Sequence, residues 1–186
     1  MQKDVFHQLA LEFSEINFTF TGNQNLIIGP IDITDKVKIS NIIQAYENQY
    51  TATPLRKNSM SCVALPTCPL ALAEAQRYLP LLITKMEALL AQYGLSEEDV
   101  VTRMTGCPNG CGRPYVAEIG FVGTGPGQYN MMLGGDRFGE RLNKIYKEKL
   151  NENEILHELD HLLQRYVVER NHNETFGDFC NRKVLA

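Results

Sequence analysis

The sequence predicts an α+β protein in two parts, on three observations. The leading stretch reads helix, strand, strand, helix; the later stretch holds two strand-like runs, YVAEIGFVG and QYNMMLGG; and a long amphipathic helix follows near the end. In the leading part, INFTFT and NLIIGPI are apolar and β-branched, with Gly22-Asn23-Gln24-Asn25 between them, the pattern of a hairpin. Asp35 is placed to cap the next helix, whose apolar face is Val37, Ile39, Ile42, Ile43, Ala45 and Tyr46 and whose end falls near Tyr50. These elements suggest part of a small α+β sandwich. The segment TATPLRKNSM, with Pro54 and the basic pair Arg56 and Lys57, reads as the link.

The second part begins at CVALPTC and runs into a helix expected from about Leu70 to Tyr93. Pro69 suits its first turn, Gly94 its end, and Pro80 is expected to kink it or split it in two. Ser96 resembles a further N-cap with acids after it, and VVTRMT leads as a strand into TGCPNGCGRP. Alternation of Tyr115, Ala117, Ile119 and Phe121 with smaller or polar neighbours favours a strand with one covered face. The closing helix, about Glu154 to Arg170, carries Ile155, Leu156, Leu159, Leu162, Leu163, Tyr166 and Val167 on one stripe.

Composition narrows the class. At 186 residues and 44% apolar content the chain suffices for one domain or one and a half. No apolar run is long enough for a membrane helix, and MQKDVFHQL lacks the core of a signal peptide, so a cytoplasmic protein with no membrane partner is expected. A net charge of −4 without a basic stripe argues against nucleic acid. TGCPNGCG and GTGPG lack the spacing and strand-to-helix setting of dinucleotide or P-loop sites. No GxSxG and no internal repeat occurs.

Four of the five cysteines form two close pairs, Cys62 with Cys68 and Cys107 with Cys111, and Cys180 stands apart as a bystander. Thiolates so spaced converge on soft iron or zinc, and in a reducing compartment they are more often ligands or redox groups than disulfides. Five residues separate the first pair and three the second, wider than the two-residue zinc knuckle. Spacing alone leaves an iron–sulfur cluster, a structural zinc and plain reduced thiols all open. Gly106, Gly110 and Gly112 free the backbone to wrap a bulky core, and Asn109 is placed to turn an amide toward it; Gly123, Gly125 and Gly127 read as ordinary turn glycines. His157-Glu158-Leu159-Asp160-His161 matches the HExxH pattern of zinc proteases, yet at about 100° per residue both histidines fall opposite the apolar stripe, on a solvated face.

The phrases SMSCVALPTCPLALAEAQRYLP, TGCPNGCGRPYVAEIGFVG and GGDRFG, in that order, resemble the nitrite/sulfite reductase family that carries siroheme and a [4Fe-4S] cluster. The likeness is to the carboxy-terminal part of sulfite reductase (NADPH) hemoprotein beta subunits, from about Ile16 to Asp178. It implies the end of a ferredoxin-like half-domain over residues 1–54 and a [4Fe-4S] and siroheme domain, with a mixed sheet and helices, over 55–186. It implies a cluster on Cys62, Cys68, Cys107 and Cys111, with Cys111 also the axial ligand of the siroheme iron. The implied reaction of the whole protein is six-electron reduction of sulfite to sulfide for cysteine synthesis, with NADPH and flavin on a flavoprotein alpha subunit. Sulfite and the siroheme carboxylates call for positive charge; Arg113 is the best-placed candidate, with Arg56, Lys57 and Arg103 behind it. The resemblance places the sulfite-binding basic residues in the larger amino-terminal part, so no catalytic residue is assigned here and the chain alone is expected to be inactive. Nitrite is the competing substrate, although LPTCPLALAEA is closer to the sulfite enzymes. A noncatalytic iron–sulfur or zinc module in electron transfer is the reading from another class.

Overall fold

Backbone hydrogen bonding and packing divide the computed structural model, which describes residues 2–47 and 52–186, into two units, Met1–Ala52 and Thr53–Ala186. The expected helix end near Tyr50 lies outside the described residues, as does the side chain of Tyr46.

The first unit is α1 (Gln2–Glu12), β1 (Asn17–Phe20), β2 (Leu26–Gly29) and α2 (Lys36–Glu47). The strands form the antiparallel hairpin that the sequence predicts, with Asn17 opposite Gly29 and Phe20 opposite Leu26. Its loop closes by Thr21 N–H donating to the Asn25 carbonyl at 2.9 Å, with Gln24 in the left-handed region at φ 61°. Leu9, Phe13 and Ile39 form a small core, with Phe18, Ile28, Ile42 and Ile43 against it. Val37 is 69% exposed and Ala45 also faces solvent, contrary to expectation. Two residues along a helix is more than half a turn, so Val37 cannot share the face of Ile39. Asp35 precedes α2 with its carbonyl accepting from Ile39 N–H at 3.0 Å, while the Asp32 carboxylate accepts from Thr34 N–H at 2.9 Å.

In the second unit a five-stranded sheet runs in the order β3 (Ser59–Ser61), β4 (Thr102–Thr105), β5 (Ile119–Gly125), β6 (Gln128–Leu133) and β7 (Lys144–Leu150). The β3, β4 and β5 strands are parallel; β5, β6 and β7 are antiparallel, so the sheet is mixed. Helices α4 (Leu79–Gln92) and α5 (Glu152–Glu169) bury Leu82, Ile83 and Met86, and Ile155, Leu159 and Tyr166, in one core with Ile119, Phe121 and Met131 of the sheet. The end of the chain, α6 (Phe176–Phe179) and a π-helical turn (Cys180–Val184), adds Phe176, Phe179 and Cys180 to that core. Fully buried Glu118 ties it to β5, accepting Val101 N–H at 2.8 Å and Gly177 N–H at 2.9 Å. Burial pushes this carboxyl above its ordinary value although those N–H groups pull the other way.

Several elements differ from the sequence reading. The expected link begins at Thr51, outside the described residues; from Thr53 it is regular, with Thr53 capping a short helix, α3 (Pro54–Lys57), by accepting Arg56 N–H at 3.2 Å, and β3 following. The expected helix from Leu70 begins only at Leu79, with Pro80 in its first turn. A proline ring at 80 excludes helix through residue 76, and the segment before it spends its polar groups elsewhere. Leu72 and Ala73 N–H both donate to the Gly106 carbonyl, and Tyr129, stacked on Tyr78, donates its hydroxyl to Glu74 O at 2.7 Å. Gly94 does close α4 as predicted, at φ +69° with Leu95 N–H donating to Leu90 O at 2.8 Å. No helix follows Ser96, because that stretch is a single turn with Glu98 N–H on Leu95 O at 3.0 Å. Tyr115 and Val116 belong to a 3₁₀ turn (Pro114–Val116) rather than to β5, and β5 is covered on both faces, with Val122 as buried as Ile119.

The closing helix begins two residues early, at a capping box in which Asn151 accepts from Glu154 N–H and the Glu154 carboxylate accepts from Asn151 N–H at 2.8 Å. Asn151→Ala is expected to cost about 1 kcal/mol in urea unfolding, whereas Ser96→Ala, capping nothing, stays within about 0.5 kcal/mol of the parent.

Candidate functional site

Parallel pairing of β3 with β4, with Ser61 opposite Met104, sends the loops after both strands out of the same end of the sheet. Cys62 is the first residue past β3, and Cys107 lies two past the end of β4. Their segments therefore meet. Cys62 N–H donates to Met104 O at 3.2 Å; its Sγ accepts Gly106 N–H at 3.3 Å and lies 3.5 Å from Thr105 Oγ1. The first cysteine segment folds back on itself, with Cys68 N–H donating to Ala64 O at 2.8 Å and Leu65 N–H to Ala73 O at 3.4 Å. Leu72 and Ala73 N–H then reach across to the Gly106 carbonyl at 2.8 and 3.0 Å, joining the segments through backbone alone.

Close approach explains the glycines. A Cβ on Gly106 would stand 2.5 Å from Ala64 Cβ and 2.6 Å from Ala73 O, and one on Gly112 would overlap the Met104 carbonyl. Gly123 is not a turn glycine: it lies in β5 beneath the second loop, where a Cβ would come within 2.5 Å of Gly106 O. Gly125 and Gly127 have no such crowding, and Gly127 turns the β5–β6 hairpin at φ +66°. Within the second loop Gly110, at φ +71°, accepts Arg113 N–H on its carbonyl at 2.7 Å.

The five cysteines are all free thiols. Cys107 is buried at 7% exposure, Cys62 and Cys68 are half-buried, and Cys111 is exposed. Cys180 sits in the hydrophobic core, where burial drives its thiol far above its ordinary value, consistent with a bystander. Among the described residues no three Cys, His, Asp or Glu side chains converge at metal-holding distance. What fits a cluster is the donor chemistry, four soft thiols on two joined loops, together with a backbone N–H already aimed at a cysteine sulfur.

Asn109 and Arg113 are both exposed on this loop. Arg103, half-buried, is held below its ordinary value first by desolvation and then by the charge of Arg113. Arg56 is not an anion-facing candidate: Glu87 takes its guanidinium at 3.0 and 2.6 Å and Thr84 at 3.0 Å, clamping α3 to α4. Lys57 is exposed. His157 and His161 face solvent as expected, and the intervening Glu158 is engaged by Tyr146 and Lys147 at 2.8 and 2.6 Å. Sequence reasoning missed Thr105, Tyr115 and Asn143, because their roles rest on contacts distant in the chain. Tyr115 donates its hydroxyl to Pro108 O at 2.9 Å; burial, then the neighbouring Cys107 sulfur, push that hydroxyl above its ordinary value.

Gly112→Ala is expected to cost more than about 3 kcal/mol in thermal or urea unfolding, because the methyl has backbone for a neighbour. Gly125→Ala, facing only the tip of Gln128 at 3.6 Å, is expected within about 1 kcal/mol of the parent.

No family model matches the chain. Curated proteins do. The sulfite reductase (NADPH) hemoprotein beta-component of Staphylococcus carnosus is 54% identical over 172 residues, covering 91% of this chain and 30% of that protein. The proteins of the same name from Staphylococcus epidermidis and Escherichia coli are 55% and 50% identical, each over 92% of this chain and 31% of their own length. Among solved structures, the Mycobacterium tuberculosis NirA protein superposes with a TM-score of 0.73 at 22% identity, covering 96% of this chain and 35% of that one. At that identity the likeness speaks for the fold, and it agrees with the α+β class and mixed sheet. The chain spans about 30% of the length of the curated relatives it matches, and over that span it is a sequence relative of the sulfite reductase (NADPH) hemoprotein beta-component.

Proposed function

We propose that this chain is the cluster-holding segment of an assimilatory sulfite reductase hemoprotein, with Cys62, Cys68, Cys107 and Cys111 as ligands of a [4Fe-4S] cluster and Cys111 as the link to a siroheme iron. The observation that carries the reading is the joining of the two cysteine segments at Gly106, whose carbonyl accepts from Leu72 and Ala73 and whose N–H points at the Cys62 sulfur. When bound, the cluster and siroheme supply electrons singly for the six-electron reduction of sulfite to sulfide. The chain's own residues hold and tune. Gly106 N–H stabilises negative charge on the Cys62 sulfur, and Gly106, Gly112 and Gly123 keep the loops close against the sheet. Exposed Cys111 is the thiol best placed to share its sulfur with a second group, and Arg113 and Arg103 bias the loop toward anions.

The curated relatives named for sulfite reductase favour sulfite over nitrite as the substrate of the whole protein. Their name as a beta-component favours an alpha flavoprotein partner that carries NADPH and flavin. A cytosolic setting suits the free thiols; among the described residues no helix is long and apolar enough to cross a membrane. The larger remainder of such a protein supplies the sulfite-binding groups, so this chain alone is inactive.

Anaerobic reconstitution of the purified chain, with iron, acid-labile sulfide and zinc analysis and an absorption spectrum, tests the ligand set. Four irons with matching sulfide are expected, falling by more than half in Cys62→Ser or Cys107→Ser; zinc without sulfide overturns the reading. Replacing both His157 and His161 with Ala is expected to leave iron content within error of the parent, and loss of iron there would move the site to α5.

A further inference from the structure

We infer that Tyr115 is a positioning residue for the second cysteine loop, and that Asn143 fixes the turn from which Tyr115 acts. The functional meaning of this brace rests on the proposed ligand set. The Tyr115 hydroxyl donates to the carbonyl of Pro108, the residue after Cys107, at 2.9 Å. Its ring lies against Gly110, the residue before Cys111, so closely that a Cβ there would stand 2.7 Å from Tyr115 Cε2. One side chain thus touches the loop beside each of its two cysteines. The loop needs such a hold: Gly110 and Arg113 both take left-handed backbone, at φ +71° and +51°, and its own backbone bonds close only short spans.

Tyr115 is in turn held from behind. It sits in the 3₁₀ turn Pro114–Val116, and Asn143, buried between β6 and β7, donates its side-chain amide to Pro114 O at 2.6 Å and Ala117 O at 2.9 Å. Asn143 N–H donates to Tyr115 O at 2.9 Å, so three bonds from one residue fix the turn from end to end. Gly120 packs beneath, where a Cβ would stand 2.9 Å from the Asn143 amide nitrogen. The line of force runs from the β6–β7 connection through Asn143, the turn and Tyr115 to the backbone between Cys107 and Cys111. A residue whose whole role were to fill core would carry neither the hydroxyl bond to Pro108 nor a ring over a left-handed glycine. A brace of this kind sets the spacing of two thiols and the access of solvent to the buried one, Cys107.

Native-state maleimide labelling of the reduced 186-residue chain, resolved by peptide mass spectrometry, tests the brace without any metal. Tyr115→Phe keeps the ring and removes the hydrogen bond; it is expected to speed labelling of Cys107 about fivefold to tenfold while Cys180, in the core away from the loop, keeps its rate. Asn143→Ala is expected to act in the same direction, and serves as the second variant if Tyr115→Phe folds poorly. An unchanged Cys107 rate, or equal acceleration at Cys180, overturns the inference. In reconstituted chain, Tyr115→Phe is expected to keep its iron and shift the reduction potential of the centre; full iron with an unshifted potential overturns the positioning role. Failure of the parent chain to take up iron and sulfide overturns the proposed ligand set instead, and the labelling result still decides the brace.

Discussion

Gly106 is the point at which the second unit is fastened. Its carbonyl accepts two N–H groups from the segment after Cys68, its N–H reaches the Cys62 sulfur, and its Cα surface lies against Ala64 and Ala73, with Gly123 beneath its carbonyl. Any side chain at this position would separate the two cysteine segments. The contact also explains the delayed start of α4: residues that look helical from their composition lend their N–H groups to Gly106 before Pro80 admits a helix.

The sheet presents that point. Parallel β3 and β4 deliver their loops to one end, as parallel strands do wherever an α/β sheet builds a site, and β5 lies under the second loop with two glycines where larger residues would push it away. Beyond β5 the sheet turns antiparallel and serves as scaffold, packed by α4 and α5 and closed by the chain's end through buried Glu118. Charge follows the same division. Arg56 is spent on Glu87 to hold two helices, while the charge of Arg113 acts on half-buried Arg103 of β4. A basic residue near a motif in sequence is therefore no guide to the field at the site until its partner is known.

What was legible was whatever local chemistry dictates. The hairpin of the first unit, the Gly94 terminus, the stripe of α5 apart from exposed Val167, with its histidines to solvent, and the cysteine phrases could be read because hairpin loops, αL caps and 3.6-residue periodicity act within a few residues. Short β3 and the charged edge strand β7 escaped because their strand character comes from pairing rather than from composition. Gly123 was misread because nothing in its neighbourhood of sequence announces that Gly106 lies above it.

The sequence by itself determined four thiols in two close pairs, the second of them flanked by glycines, and the α+β class. Tertiary structure decided how those phrases meet, that Arg56 is spent on Glu87, and that Tyr115 and Asn143 stand behind the second loop. The physical reason is range: ligand type and helix periodicity are local properties, whereas parallel register, steric exclusion of a Cβ and a hydroxyl reaching a carbonyl exist only between segments that folding brings together.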